Sequence, residues 1–401
     1  MAIVLREVTL RNYKSIAACK VGLTDLTLLV GPNGAGKSNF IDALRFVAES
    51  LNSTIEYAIR QRGGIGEVRR RSGGHPNHFA ISLRLNLEEG QNANYAVQIG
   101  ARPRGGFNVQ HEQAAVSGNG IDHAYYEVKN GSLVKSANVG SRSKIESDRL
   151  FLTTLSAESS FRLLYDALSS MGFYNINPGD IREPQPHDRG DILARSGANL
   201  AAVIKRLKVD DQSSFDRVQQ YLRNVVPGVE RVEYKALGPR ETLEFFQRVQ
   251  NAQHPWRFYA TAMSDGTLRS LGVLVALFQS LPKFKLSKQF IAIEEPESTI
   301  HPGAAAILMD ALLEASGRNQ VLSTTHSPDL LDHKSVQSAN LLAVSNESGQ
   351  TLIAPVDQAS RSAIRDKLYT AGELLRSRQL QPDLDQARTE VTQSDLFHPV
   401  A

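Results

Sequence analysis

The apolar run Leu26–Val30 ends at the octapeptide Gly31-Pro32-Asn33-Gly34-Ala35-Gly36-Lys37-Ser38. Directly after it, Phe40, Ile41, Leu44, Val47 and Leu51 recur on one helical face. Strand, glycine-rich loop and helix in that order restrict the fold more than any other stretch of the 401 residues. The octapeptide matches the P-loop pattern in full. Its glycines let successive backbone N–H groups turn inward around phosphate oxygens. The helix N-terminus adds partial positive charge at the same place. Asn33, Gly34, Ala35, Gly36, Lys37, Ser38 and Asn39 are therefore the candidate phosphate cradle. Lys37 is suited to the β- and γ-phosphates, and the Ser38 hydroxyl to Mg²⁺.

Three further motifs follow in the C-terminal third. Phe290-Ile291-Ala292-Ile293 is an apolar strand that runs into Glu294-Glu295-Pro296-Glu297. Ligands of open α/β sheets bind at such carboxyl edges. Glu294 is the candidate Mg²⁺ ligand and Glu295 the group that polarises an attacking water. Most P-loop proteins carry Asp where Glu294 stands, which is one methylene longer. Ser264-Asp265-Gly266-Thr267 precedes a helical pattern (Leu268, Leu271, Leu274, Val275, Phe278) expected to run from Thr267 to Leu281. A serine there is an N-cap, and the same N–H groups suit a γ-phosphate. Thr324-Thr325-His326-Ser327 follows the apolar strand Val321 to Thr325. Parallel strands end on one edge of a sheet, which would let His326 share a site with Glu295.

Between these ends the chain changes character. Phe79 to Leu87 alternates apolar and polar residues, and Tyr95 to Ile99 and Phe107 to Gln110 read as further antiparallel strands. Arg60 to Asn77 reads as a glycine- and arginine-rich loop, Leu150 to Met171 as a helix, and 174–198 as loop. Leu200 to Leu207 and Phe215 to Val225 read as helices, Val229 to Tyr234 and Thr242 to Phe246 as strands, and Leu341 to Ile353 as a hairpin. Strands alternating with helices at both ends of the chain suggest one α/β layer built from N- and C-terminal segments. The expected organisation is 1–100 for the first part of the head, 101–257 for an inserted α+β region, and 258–401 for the rest of the head and a tail.

Taken in order, these motifs resemble the ABC-type ATPases of the RecF, Rad50 and SMC group. Gly31 to Asn39 has the form that group uses, and Arg11-Asn12-Tyr13-Lys14-Ser15-Ile16 looks like the segment preceding it there. A closer resemblance is to bacterial RecF-like AAA ATPases, related to the ATPase parts of OLD-family nucleases and phage-defence systems. It is carried by Met263 to Arg269, by Glu294 to Pro302, by Phe173 to Pro178, by Gly197 to Leu200, and by Leu374 and Pro382. The resemblance implies an α/β ABC-type head with a mixed sheet. It implies ATP with Mg²⁺, sandwiched between two copies of the chain. Ser264 and Gly266 of one copy would contact the γ-phosphate held by the other, and His326 would sense that phosphate. Glu295 and His326 would be the catalytic pair. DNA and a separate nuclease or effector chain become candidate partners, in a DNA-repair or phage-defence role. Gln61 is the nearby candidate for a Q-loop residue. For Tyr13, adenine stacking competes with a plain strand-edge role.

Two other functions share part of this set. Transporter ATP subunits have the P-loop, the catalytic carboxylate and the histidine, but usually read Leu-Ser-Gly-Gly-Gln at the signature and lack such an insert. A switch that senses ATP without turnover is opposed by the intact Lys37 and Glu295. No apolar stretch approaches the roughly 20 residues of a membrane helix. The N-terminus does not read as a signal peptide. One cysteine, Cys19, precludes an intrachain disulfide, which fits a cytoplasmic protein. The formal charge of +3 does not demand nucleic acid. Arg60, Arg62, Arg69, Arg70 and Arg71 crowd one loop, and Lys205, Arg206 and Lys208 crowd a helix end; both are candidate phosphate contacts.

Overall fold

The computed structural model describes residues 4–72, 76–103, 105–118, 121–139, 145, 148–279, 288–388 and 391–398. Among them, thirteen strands form one sheet. One end is an antiparallel ladder in the spatial order Ser132–Ala137, Ile121–Lys129, Phe107–Gly118, Asn92–Ala101, His78–Asn86, Val4–Tyr13, Ile16–Gly22. The hairpin Gln350–Pro355 and Leu341–Glu347 comes next. The other end is the parallel run Leu26–Val30, Gln320–Thr325, Phe290–Glu294, Gly172–Tyr174. Every residue of Leu26–Val30 and of Gln320–Thr325 is buried, as expected of parallel strands covered on both faces.

Side chains alternate across a strand, so this sheet serves two cores. Leu29 joins a core with the helix Lys37–Asn52, the helix Ser159–Ser169 and the antiparallel ladder. Leu26, Leu28 and Val30 join the opposite core, with the helices Leu200–Asp210, Gln212–Val225, Asp265–Phe278 and Ala305–Arg318. A smaller antiparallel sheet, Gln185–Pro186, Val229–Leu237, Arg240–Gln247 and Trp256–Tyr259, lies beside that second group. The Gln320 side chain bonds the Leu5 N–H and C=O at 2.8 Å each and the Thr24 C=O at 3.1 Å, tying the first strand to a late one.

Several local expectations change. The expected helix over 150–171 divides into Phe151–Thr154, a 3₁₀ turn at Leu155–Ala157 and Ser159–Ser169. The buried Glu112 carboxylate accepts the N–H groups of Phe151 and Leu152 at 2.6 and 3.0 Å, which satisfies the first helix start in place. The loop expected over 60–77 contains the short helix Ile65–Val68 after Gly63 and Gly64, both at positive φ; residues 73–75 lie outside the described residues. The segment 174–198 holds a helix at Pro178–Arg182 capped by Asn177. The helix expected to start at Thr267 starts at Asp265, ends at Phe278 and is buried at every position from Thr267 onward; Leu281 lies outside the described residues. No described helix is long and apolar enough to cross a membrane.

The parallel register fixes the site. Thr324 lies opposite Glu294 and Thr325 opposite Val30, so the P-loop, the double carboxylate and His326 all leave the sheet at the same edge.

Candidate functional site

The octapeptide closes a tight loop because glycine supplies its turns. Gly34 and Gly36 take φ of 76° and 107°, in the region L side chains rarely adopt. Gly36 starts the helix Lys37–Asn52, which has no capping side chain and no acid in its first turn. An uncapped helix start with no acid in its own first turn suits an anion. The loop is braced from the far end of the chain. Thr351 Oγ1 donates to the Ala35 carbonyl at 2.9 Å and lies 2.7 Å from Ser15 Oγ. Asn39 Nδ2 donates to that same Ser15 Oγ at 2.7 Å, so its amide supports the loop from behind. Asn33, Gly34 and Ser38 are exposed at the mouth, and Ala35 is buried. Lys37 is 4% exposed, and its ammonium donates to the carbonyls of Gly31 and Pro32 at 2.7 and 3.1 Å. Burial pushes its pKa down, against the carboxylates of Glu295 and Glu297, which push it up.

Across the sheet edge, Glu295 has φ 45°, a left-handed conformation that a non-glycine residue holds only under constraint. The constraint is visible. Its N–H donates to Thr324 Oγ1 at 3.0 Å and to the Thr324 carbonyl at 3.2 Å. Its carbonyl accepts from Arg269 Nη2 at 3.0 Å, and its Oε2 accepts from Ser298 Oγ at 3.2 Å. The result aims the Glu295 carboxylate at His326, with Oε1 3.5 Å from Nδ1. His326 is 40% exposed, so the pair faces the surface. Glu294 points elsewhere: its Oε1 accepts from Arg195 Nη2 at 2.9 Å.

The signature segment joins this site through its helix. Ser264 caps that helix, accepting from the Thr267 N–H at 3.2 Å, and Ser264 and Asp265 are exposed. Asp265 pairs with Arg182. A Cβ added to Gly266 would lie 2.5 Å from the Thr299 carbonyl oxygen, so glycine permits the approach to the turn after the double carboxylate. One helical turn on, Arg269 donates to the carbonyls of Ile176, Glu294 and Glu295 at 2.5, 3.1 and 3.0 Å. The signature helix is thereby fastened to the backbone that carries both carboxylates.

Arg195, Arg269 and Glu297 have no role assigned from sequence. Glu297 sits inside a recognised motif, and Arg269 follows the signature by one turn, which is a usable signal. Nothing local marks Arg195. Tyr13 is fully buried, packed edge-on against Phe79, with its hydroxyl donating to Asp42 Oδ2 at 2.8 Å, which leaves no ring face for a ligand. Gln61 is exposed just past the helix Ile55–Arg60.

The arginine-rich loop is largely committed to the fold. Arg62 is 2% exposed and pairs with Asp42 at 2.9 Å and Glu49 at 2.6 Å. Arg69 and Arg70 donate to the carbonyls of Pro76 and Ser15, and Arg71 pairs with Glu67. Arg60 and Arg71 remain exposed. At the second cluster Lys205 lies over the Tyr234 ring, Arg206 pairs with Asp191 and Asp210, and Lys208 reaches Glu233 at 3.8 Å.

A P-loop, a carboxylate-ended strand and a histidine on adjacent parallel strands, with a serine-capped helix fastened beside them, are set on the mixed α/β head fold of ABC-type proteins. Solved structures share the fold. An Smc head bound to the C-terminal winged-helix domain of ScpA superposes with a TM-score of 0.56 at 14% identity, covering 89% of this chain and 99% of that one. An Smc head with an extended coiled coil from Pyrococcus furiosus, bound to the C-terminal domain of ScpA, gives 0.54 at 12% identity, covering 91% and 99%. Functionally curated proteins give no match. Residues 26–332 match the family described as "AAA domain, putative AbiEii toxin, Type IV TA system", and the chain belongs to that family.

Proposed function

We propose that this chain binds ATP and hydrolyses it at a head-to-head homodimer interface, and that turnover controls a partner protein. The observation that carries the reading is the gathering, at one sheet edge, of Lys37 with the Glu295–His326 pair, 3.5 Å apart. In this reading Lys37 leaves the carbonyls of Gly31 and Pro32 for the β- and γ-phosphates. Glu295 orients the attacking water and takes its proton. His326 lies beside Glu295, placed to register the γ-phosphate. The exposed Ser264 cap and Gly266 present N–H groups to the phosphate held by the second copy, an isologous arrangement that closes as a dimer.

Ser38 and Glu294 are the residues that would hold Mg²⁺. No cluster of three or more His, Cys, Asp or Glu side chains suited to a metal occurs among the described residues. Mg²⁺ keeps several waters and binds through one or two protein groups plus substrate phosphates. When bound, it would neutralise charge on the phosphates.

A partner protein is favoured over DNA because the arginine loop is mostly bonded internally. The compared Smc heads likewise carry a domain of another protein, ScpA. DNA contact through Arg60 and Arg71 would give a salt slope of about 0.9 per phosphate, hence at most about 2 for that loop.

Phosphate release with Mg-ATP tests the reading. Glu295→Gln should retain ATP binding, slow release by about 10²–10⁴-fold and accumulate dimer in light scattering. A parent protein that binds ATP and releases no phosphate would instead indicate a sensing switch. A Glu295→Gln protein that stays monomeric at saturating ATP would exclude the sandwich.

A further inference from the structure

We propose that Glu297 is a positioning residue that holds His326 beside Glu295, setting the rate of hydrolysis without contributing to ATP affinity. This rests on the ATPase reading above. Glu297 lies in the turn just after Glu295 and is 9% exposed. Its Oε1 accepts the Thr325 hydroxyl at 2.6 Å and the His326 N–H at 3.3 Å. Thr325 Oγ1 in turn accepts the Ser327 N–H at 3.0 Å. The backbone of His326 is thus bracketed: its own N–H and that of the next residue both lead back to one carboxylate, directly or through one hydroxyl.

These contacts act where the chain leaves the strand Gln320–Thr325, the point that decides the direction of the imidazole. No bond among the described residues holds the histidine ring to the P-loop side, and its closest charged neighbour is Glu295 at 3.5 Å. The other oxygen, Oε2, is buried with no hydrogen-bond partner. A purely structural acceptor at this position could be a satisfied neutral group, since an orphaned buried oxygen is unfavourable. The carboxylate also exerts its charge on Arg269, the residue fastening the signature helix.

The test is a double-substitution cycle on the full chain, reading kcat and KM for phosphate release, with binding of a fluorescent ATP analogue as control. Glu297→Ala should lower kcat by about 10²-fold, the loss expected of a misplacement near 1 Å, with analogue affinity unchanged. Glu297→Gln keeps an acceptor oxygen and should recover about tenfold of that loss. His326→Ala combined with Glu297→Ala should be no slower than the worse single variant within about threefold, as expected of residues acting as a unit. Thr325→Val removes the bridging hydroxyl at similar volume and should also lower kcat, which keeps the test decisive if Glu297→Ala folds poorly. Multiplying losses in the double variant, or a fall in analogue affinity matching the fall in kcat, would overturn the proposal while leaving the ATPase reading intact. A parent chain that releases no phosphate would overturn both.

Discussion

Gly266→Ala perturbs the link between the signature helix and the double-carboxylate turn while keeping the residue-266 N–H. The new Cβ would stand 2.5 Å from the Thr299 carbonyl oxygen, and 3.4 Å is the near limit of ordinary contact, so one backbone must retreat by about 0.9 Å. Neither retreats easily. Thr299 sits at φ 68° in a turn closed by Ser298 N–H to the Glu295 carbonyl at 3.1 Å and Ile300 N–H to the Glu297 carbonyl at 3.0 Å. Gly266 opens a helix that is buried from Thr267 onward and pinned by Arg269. The displacement therefore reaches the Glu295 backbone. A misplacement near 1 Å costs about 10²-fold in rate, which corresponds to about 2.7 kcal/mol of barrier. Overpacking costs about 1–3 kcal/mol of stability, and alanine returns up to about 1 kcal/mol through its helix propensity. The expected outcome is a small loss of stability by urea titration, unchanged ATP affinity at the P-loop, and a kcat reduced by about two orders of magnitude. A Gly266→Ala protein with parental kcat would show that this close approach does not transmit position.

Three other perturbations test separate parts of the molecule. Lys37→Ala should abolish ATP binding in equilibrium dialysis at a cost of about 1–3 kcal/mol of stability, because the Gly31 and Pro32 carbonyls lose their donor; retained affinity would refute the P-loop assignment. Arg195→Ala frees the Glu294 carboxylate and should lower the Mg²⁺ needed for half-maximal phosphate release by up to about fivefold, since a part-exposed ion pair contributes about 0.2–1 kcal/mol; an unchanged Mg²⁺ requirement would place Glu294 outside the metal site. Asp42→Ala should destabilise the fold by about 3 kcal/mol, because it removes the acid shared by Lys14, Arg45 and Arg62 and leaves the buried Arg62 side chain with Glu49 as its remaining acid. Burial alone would raise the Asp42 carboxyl, but Arg62 and then Lys14 hold it well below the usual carboxylate range. Its stabilisation is therefore full above the unfolded value of about 3.9 and fades as pH falls further, so the parent and Asp42→Ala urea midpoints should converge only below that pH. Convergence near neutrality would refute this account of Asp42.

The P-loop, the double carboxylate and the histidine are legible in the sequence because each stands at the end of an apolar strand. Glycine or charge at such a place has few structural uses apart from holding a ligand. The two-part α/β layer is legible for the same reason: parallel strands buried on both faces leave continuous apolar runs such as Leu26–Val30. Other features depend on partners far away in the chain. The arginine loop reads as an exposed basic patch because the acids that neutralise Arg62, Asp42 and Glu49, lie on a helix whose polar positions give no sign of pairing. The start of the short helix Phe151–Thr154 depends on Glu112, roughly forty residues earlier on the strand Phe107–Gly118. Arg195 meets Glu294 across 99 positions of sequence, from a segment that reads only as proline-rich loop.

The same dependence on distant partners bears on how the site is made. A P-loop is a local motif, yet here its geometry is completed from the other end of the chain: Thr351 bonds the Ala35 carbonyl across 316 positions, and a Cβ at Gly31 would meet the Val344 carbonyl. The turn that bends Glu295 toward His326 relies in turn on Arg269 and Thr324. Neither the P-loop's geometry nor the carboxylate–histidine pair can therefore be finished before the C-terminal hairpin and the signature helix have docked. Strain at Glu295 is tolerable only in that completed state, since a left-handed carboxylate residue costs about 1–3 kcal/mol and its compensating bonds come from its own turn and two other segments. The geometry of this site is thus a property of the assembled sheet edge, and any partner that shifts the signature helix has a direct mechanical route, through Arg269, to Glu295, the residue proposed to activate water.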